Sequence, residues 1–216
     1  GVNKFVQIQF NLSDLQLGFS VSSLTIVAAL AMMFSGPLSD KYGRKLVLKY
    51  CALIFTVSAI GSALSTGFTS FLIFRMLGGL GVGASLIVAP MYIAEIAPAS
   101  KRGRLVSFNQ LNIVIGITIA FFTNYYILSL ADHTSSWVSN YGIAEHNWRW
   151  MLGIEALPAI VYFFALFSVP KSPRWLMSKG NENKATAVLQ KFISVEETAE
   201  EIKAIKGVII NKTPVE

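Results

Sequence analysis

Two short polar segments of the sequence each contain an acidic residue followed by an arginine. In segment 36–45 Asp40 precedes Arg44, and in segment 95–104 Glu95 precedes Arg102. Both segments lie between long apolar stretches, where water is scarce, so contacts between these groups exceed the ~0 to 1 kcal/mol of exposed surface pairs. Charge-assisted hydrogen bonds contribute roughly 1.5 to 3 kcal/mol each. Contact between arginine and carboxylate is the first chemistry that these residues indicate.

Contacts of this strength can switch a protein between two conformations. Moving a two-state equilibrium from about 1:99 to 99:1 takes about 5.5 kcal/mol, which two or three such contacts supply. A simpler explanation is the excess of basic residues on the cytoplasmic side of membrane proteins, and it accounts for Arg44, Lys45 and Lys101. It leaves the acids Asp40 and Glu95 unexplained, which favours a switching role.

A polar amide inside an apolar stretch suggests a binding site. Gln110 shares one helical face with Ile113 and Ile117, at spacings of three and seven residues. An unpartnered amide in hydrocarbon costs free energy, so Gln110 is expected to face other helices or a water-filled cavity. Because its amide both donates and accepts, it suits a ligand with hydroxyl groups, such as a sugar. A hydrogen bond to another helix is the alternative; Asn124 is a weaker candidate on the same helix.

Two ionisable residues lie within apolar stretches rather than between them. Arg75 and Glu155 are both placed in the outer half of a span by the orientation derived below. Charges at such depth are expected to be functional. Two interpretations of Glu155 stay open: it carries a proton, or it pairs with Arg75.

These residues are positioned by apolar stretches of membrane-spanning length. A span needs about 20 apolar residues, and a membrane requires that such runs be helical. The chain is 53% hydrophobic and 14% charged, which is unlike a soluble domain. We therefore predict an all-α polytopic membrane protein, with spans over 17–34, 46–65, 71–94, 105–130 and 148–169.

The distribution of basic residues predicts the orientation. Lys41, Arg44, Lys101, Arg102 and Arg174 fall on one side, so the two acid-and-arginine segments are cytoplasmic, whereas Gly67 and His133 face outside. The bundle is predicted to occupy 1–176, and a linker of surface helices to begin in 177–216. These helices either lie on lipid headgroups or, as we prefer, are solvated.

Several functional classes are disfavoured. The basic residues form short loops without interleaved aromatic residues, so the net charge of +6 does not indicate nucleic-acid binding. The sequence has no nucleophile or metal-ligand motif of the common enzyme classes, so we expect no enzyme, cofactor or metal. Glycines are assigned to packing: Gly36 is expected to admit a neighbouring helix, and Gly79 and Gly83 form a small-residue pair.

Motifs along nearly the whole chain resemble one family, the sugar porters of the major facilitator superfamily. The motifs, in the family's order, are Gly36 to Lys45 matching G-x-x-x-D-x-x-G-R-[RK]; Arg75 with Gly78, Gly81 and Gly83; Pro90, Tyr92, Ala94, Glu95, Ala97 and Pro98; Arg102-Gly103; Gln110-Leu111 with Gly116; Trp148-Arg149-Trp150; and Pro170 with Ser172 to Leu176.

The resemblance implies a fold and roles for individual residues. The chain looks like an N-terminal six-helix half whose first helix is mostly missing. Gln110 would contact the sugar, and Arg75 would pair with an aspartate on that first helix. A cytoplasmic gate would latch the two halves in the outward-facing state, formed by Gly36, Asp40, Gly43, Arg44, Glu95, Arg102 and Arg174.

Two positions depart from the family pattern. Lys171 stands where a glutamate is usual, which puts in doubt one partner of the ion-pair network. Ile117 stands where some members have a polar residue, so this half is expected to offer fewer polar groups to the sugar.

The function that the resemblance implies is monosaccharide uptake by alternating access, and we favour coupling of this uptake to protons. Facilitated diffusion of a sugar or polyol and a transporter-like sugar sensor are the alternatives. The expected partners are a hexose or pentose, protons, the bilayer and a C-terminal half of the same chain. The expected location is the cell membrane, either bacterial inner or eukaryotic plasma membrane.

Overall fold

The computed structural model describes residues 2–131, 138 and 140–210, so His133 lies outside the described residues. In the described ranges the regular structure is helical. The helices are α1 (Asn3–Gln9), α2 (Asp14–Tyr42), α3 (Arg44–Ala63), α4 (Phe68–Ile96), a 3₁₀ turn (Ala99–Lys101), α5 (Arg102–Ala131), α6 (Asn147–Gly153), α7 (Ala156–Ser168), α8 (Pro173–Ser178), α9 (Glu182–Leu189) and α10 (Val195–Ile210).

All five predicted spans are confirmed as long apolar helices. Four of them are α2, α3, α4 and α5, and the fifth, Asn147–Ser168, combines α6 and α7. At the start of α2, Ser13 caps the helix and exchanges hydrogen bonds with Gln16 in a capping box.

The polar segment 36–45, which lies between two predicted spans, is mostly helical. Helix α2 continues through Pro37 to Tyr42, and Gly43 alone separates it from α3. Membrane-spanning helices tolerate an internal proline where neighbouring groups satisfy the freed backbone, and Pro37 does not end α2. Gly43 has a φ of +92°, a backbone conformation that residues with a Cβ rarely adopt. The turn between two spans is therefore a single glycine.

The last span is interrupted at Ile154 and Glu155, which was not expected. Pro158 lacks the N–H that would bond the Ile154 carbonyl, and its ring crowds that carbonyl. The interruption places Glu155 at the junction of α6 and α7.

Helices α2, α3 and α4 form the tightly packed part of the bundle. A Cβ on Gly79 would lie 2.6 Å from the Leu24 carbonyl oxygen, and a Cβ on Gly83 would overlap the Ala28 backbone. These two glycines therefore let α4 approach α2 closely, as predicted. No described residue lies within 4 Å of a Cβ built on Gly36, so the same expectation for Gly36 stays a prediction.

Helix α5 packs little against the rest of the described chain. It touches α4 and α6, and Ile127 is its one buried residue among those described. Most of this span therefore presents an uncovered surface.

The helices after the last span form a compact group with an apolar core of their own. That core contains Leu176, Met177, Ala185, Leu189, Ile202 and Ile205. Lys206 and Glu182 form a half-exposed ion pair of 2.7 Å between α10 and α9. This packing of helices on each other favours linker helices over helices that lie separately on lipid.

Candidate functional site

Arg44 is the centre of a group of polar contacts at the predicted cytoplasmic side. Its Nη2 lies 2.6 Å from Asp40 and 2.8 Å from Glu95, and its Nε donates to Glu95 at 3.1 Å. Nη1 donates to the Ser39 carbonyl at 3.0 Å. Because Arg44 begins α3, Asp40 belongs to α2 and Glu95 to α4, one guanidinium joins the ends of three helices.

The two carboxylates differ in environment. The Glu95 side chain is 9% exposed and the Arg44 side chain 7%, whereas Asp40 is 65% exposed. Water screens an exposed pair, so the bond to Asp40 contributes little. Glu95 is the partner on which the buried guanidinium depends.

The start of α8 completes the cluster. The Ser172 hydroxyl caps α8 by accepting the Trp175 backbone N–H at 3.1 Å, and the same hydroxyl donates to Glu95. Trp175 Nε1 donates to the Asp40 carbonyl at 3.1 Å, and a Cβ on Gly43 would lie 3.0 Å from the Trp175 ring. We call Asp40, Arg44, Glu95, Ser172 and Trp175 the Arg44 cluster.

Ser172 and Trp175 were not among the predicted site residues, although both belong to the family motif that runs from Pro170 to Leu176. A serine directly before Pro173 is a helix-cap signal. The cap was readable from sequence, but its second bond, to Glu95 seventy-seven positions earlier, was not.

Arg102 and Arg174 lie close to the cluster but do not join it. Arg102 forms an ion pair of 3.4 Å with Glu201 of α10. Arg174 is exposed and forms no ion pair among the described residues. Both arginines, with Glu95 and Glu201, line a cavity of about 320 Å³ next to the cluster. The structure therefore brings together three charged members of the predicted gate and leaves these two beside them.

The predicted sugar-binding residues lie on the uncovered surface of α5. Gln110 and Ile117 are exposed, Ile117 to 53%, and Ile113 and Asn124 are half-buried. Within the described residues, neither Gln110 nor Asn124 has a hydrogen-bond partner through its side chain. The alternative of a bond from Gln110 to another described helix is therefore not seen, and the amide remains available to a ligand.

Arg75 and Glu155 are both half-buried. Their charged groups form no ion pair within 4.0 Å in the part of the chain that the structure describes. Glu155 and Arg75 therefore do not form a direct ion pair in this structure.

Comparisons with known proteins place the chain in a family. The model of the family "Sugar (and other) transporter" matches residues 3–212. The glucose transport protein of Synechocystis sp. is 41% identical over 186 residues, which cover 86% of this chain and 39% of the relative. The D-xylose-proton symporter of Escherichia coli (strain K12) is 38% identical, covering 88% of this chain and 41% of the relative.

A solved structure has the same architecture. The proton:xylose symporter XylE of the major facilitator superfamily, bound to 6-bromo-6-deoxy-D-glucose, matches with a TM-score of 0.85 and 32% identity, covering 97% of this chain and 48% of that one. The chain thus spans about half the length of that structure and about two fifths of the two curated relatives. The resemblance read from the motifs is confirmed: the chain is a multi-pass membrane protein that belongs to the sugar transporter family.

Proposed function

We propose that the full-length protein carries a monosaccharide across the membrane by alternating access, coupled to protons. The observation that carries this proposal is Gln110, an amide that no described residue engages, on the uncovered face of a membrane-spanning helix. Relatives of the chain are named for glucose and for xylose, which supports a hexose or a pentose as the substrate. No chemical step is part of the proposal.

The binding face and the switching cluster are assigned to different parts of the chain. Gln110, Ile113, Ile117 and Asn124 would contact the sugar from α5. Gln110 supplies a donor and an acceptor, and the isoleucines supply apolar contact with the ring. The Arg44 cluster would instead hold the cytoplasmic ends of α2, α3 and α4 together with α8, and its making or breaking would accompany the change of state.

Arg75 and Glu155 are proposed to take part in proton coupling. Each is an ionisable group within a span and has no ion-pair partner among the described residues. Ionisable groups within spans commonly belong to proton pathways. Glu155 would carry the proton, whereas Arg75 keeps its charge and acts on Glu155 through that charge. Facilitated diffusion would not need Glu155 to change its protonation.

Uptake of labelled xylose and glucose into proteoliposomes containing the full-length protein tests the proposal. We expect accumulation above the external concentration when the proton gradient is directed inward, and loss of that accumulation with a protonophore. Equal uptake with and without the gradient would establish facilitated diffusion in place of symport. Sugar binding without any uptake would overturn transport and favour a sensor.

A further inference from the structure

Three lysines surround a small cavity beside the Arg44 cluster. Lys45 and Lys49 come from the first two turns of α3, and Lys171 directly precedes the cap of α8. The cavity has a volume of about 220 Å³, with Tyr42 and Trp175 among its other lining residues. It is smaller than the ~300 to 1,000 Å³ typical of pockets for drug-sized ligands, so it suits a headgroup rather than a large molecule. We call it the three-lysine pocket.

The three ammonium groups are held in place without being neutralised. Lys45 donates to the carbonyls of Val169 at 2.5 Å and Phe167 at 3.1 Å. Lys49 lies 3.2 Å from the centre of the Phe167 ring, and Lys171 lies 5.2 Å from the Trp175 ring. Carbonyl groups and rings orient a cation but leave its net charge.

The carboxylates nearby are used by Arg44. Asp40 and Glu95 both contact its guanidinium, and no carboxylate in the described ranges lies within 4.0 Å of the three lysine ammonium groups. Arg44 and the three lysines together carry four positive charges against the two negative charges of Asp40 and Glu95. The pocket therefore has an excess of positive charge.

The ends of the spans place the pocket near the boundary between the headgroups and the acyl chains of a bilayer. Lys49 is inside the apolar span of α3, whereas Lys171 lies beyond the end of α7. Exposed apolar side chains continue from the pocket along the bundle surface, including Leu46, Tyr50 and Phe167. A ligand with an anionic head and apolar chains matches both parts of this surface.

We propose that the three-lysine pocket binds the phosphate of an anionic phospholipid from the cytoplasmic leaflet, with the acyl chains along α3 and α7. Basic pockets between spans on this side bind anionic headgroups in general. The assignment is independent of the transported substrate. It gives Lys171, which departs from the family's usual glutamate, a role of its own.

Native mass spectrometry of the full-length protein in neutral detergent tests the assignment. The probes are phosphatidylglycerol, phosphatidylcholine with the same acyl chains, and inorganic phosphate. Each basic residue near an anionic surface contributes enough for about a fivefold change in affinity. We therefore expect Lys171→Gln to weaken phosphatidylglycerol binding about fivefold and Lys171→Glu about 25-fold.

Lys179 provides the matched control. It is an exposed lysine just after α8 and does not line the pocket, so Lys179→Gln and Lys179→Glu should change binding by less than about twofold. The melting temperatures of all variants without lipid check that each one is folded. Equal losses in the Lys171 and Lys179 variants would overturn the site. Displacement of phosphatidylglycerol by millimolar inorganic phosphate would overturn the lipid and assign a soluble anion instead.

Discussion

Among single residues, Arg44 has a role that no other basic side chain could fill. Its planar guanidinium reaches two carboxylates and a carbonyl in fixed directions, whereas a lysine ammonium lacks that fork geometry. Since Glu95 is buried, removal of Arg44 would leave an uncompensated charge, which costs roughly 3 to 5 kcal/mol. The residue therefore combines a structural function with the proposed switching function.

Replacement of Gln110 by alanine tests the binding face of α5. A neutral hydrogen bond contributes about 0.5 to 1.5 kcal/mol, so Gln110→Ala should weaken sugar binding about three- to tenfold. Isothermal titration of the full-length protein with xylose or glucose measures this change. Asn112→Ala removes another exposed amide of α5, on a different face, and should leave affinity within about twofold. Unchanged affinity in Gln110→Ala would remove this residue from the binding site.

Sequence reasoning identified only part of the Arg44 cluster. Asp40 and Arg44 lie four positions apart in one polar segment, so their closeness in sequence favours a contact. The contacts of Ser172 with Glu95 and of Trp175 with the Asp40 carbonyl join positions far apart in the chain. They depend on how whole helices pack, which local patterns do not specify.

At the scale of helices, Gly79 and Gly83 bring the backbone of α4 close to the backbone of α2. Because the Ala28 backbone occupies the space of a Cβ on Gly83, Gly83→Ala must push the two helices apart. Overpacking of this kind costs about 1 to 3 kcal/mol. We expect a lower melting temperature of the purified full-length protein.

Gly18→Ala in α2 is the control for that change. Nothing lies within 4 Å of its Cβ position, and alanine is favoured over glycine in a helix by about 1 kcal/mol. Its melting temperature should stay equal or rise. If both variants lowered the melting temperature to the same extent, the close approach at Gly83 would not be what stabilises the pair.

The five spans were predictable, but the details at their ends were not. Hydropathy locates the spans because a bilayer forces apolar runs into helices. The single-residue connection at Gly43 was not predictable, because the hydropathy of the polar segment 36–45 does not show where one helix ends and the next begins. The interruption at Glu155 lies just before Pro158, but Pro37 and Pro90 leave α2 and α4 continuous, so a proline in the sequence does not by itself locate a break.

In the molecule as a whole, the helices after the last span are connected to the membrane bundle through polar contacts. Ser172 and Trp175 tie α8 to Glu95 and to the Asp40 carbonyl. Tyr92 donates to the Pro170 carbonyl at 2.6 Å, and α8 shares an apolar core with α9 and α10. A movement of these helices would therefore strain the Arg44 cluster directly, while the proposed sugar-binding face of α5 lies outside these contacts.

The most direct test of this division uses Glu95→Gln in the full-length protein, with two measurements on the same sample. Double electron–electron resonance between spin labels across the cytoplasmic opening reports the balance of states, and titration reports sugar affinity. Loss of a charge-assisted hydrogen bond, about 1.5 to 3 kcal/mol, should raise the inward-open population relative to the outward-open one at least about tenfold. Affinity should stay within about threefold. The control, Glu182→Gln, breaks a half-exposed pair with Lys206 and should change neither measurement. A large loss of affinity with unchanged distances would contradict the separation of the Arg44 cluster from the sugar-binding face.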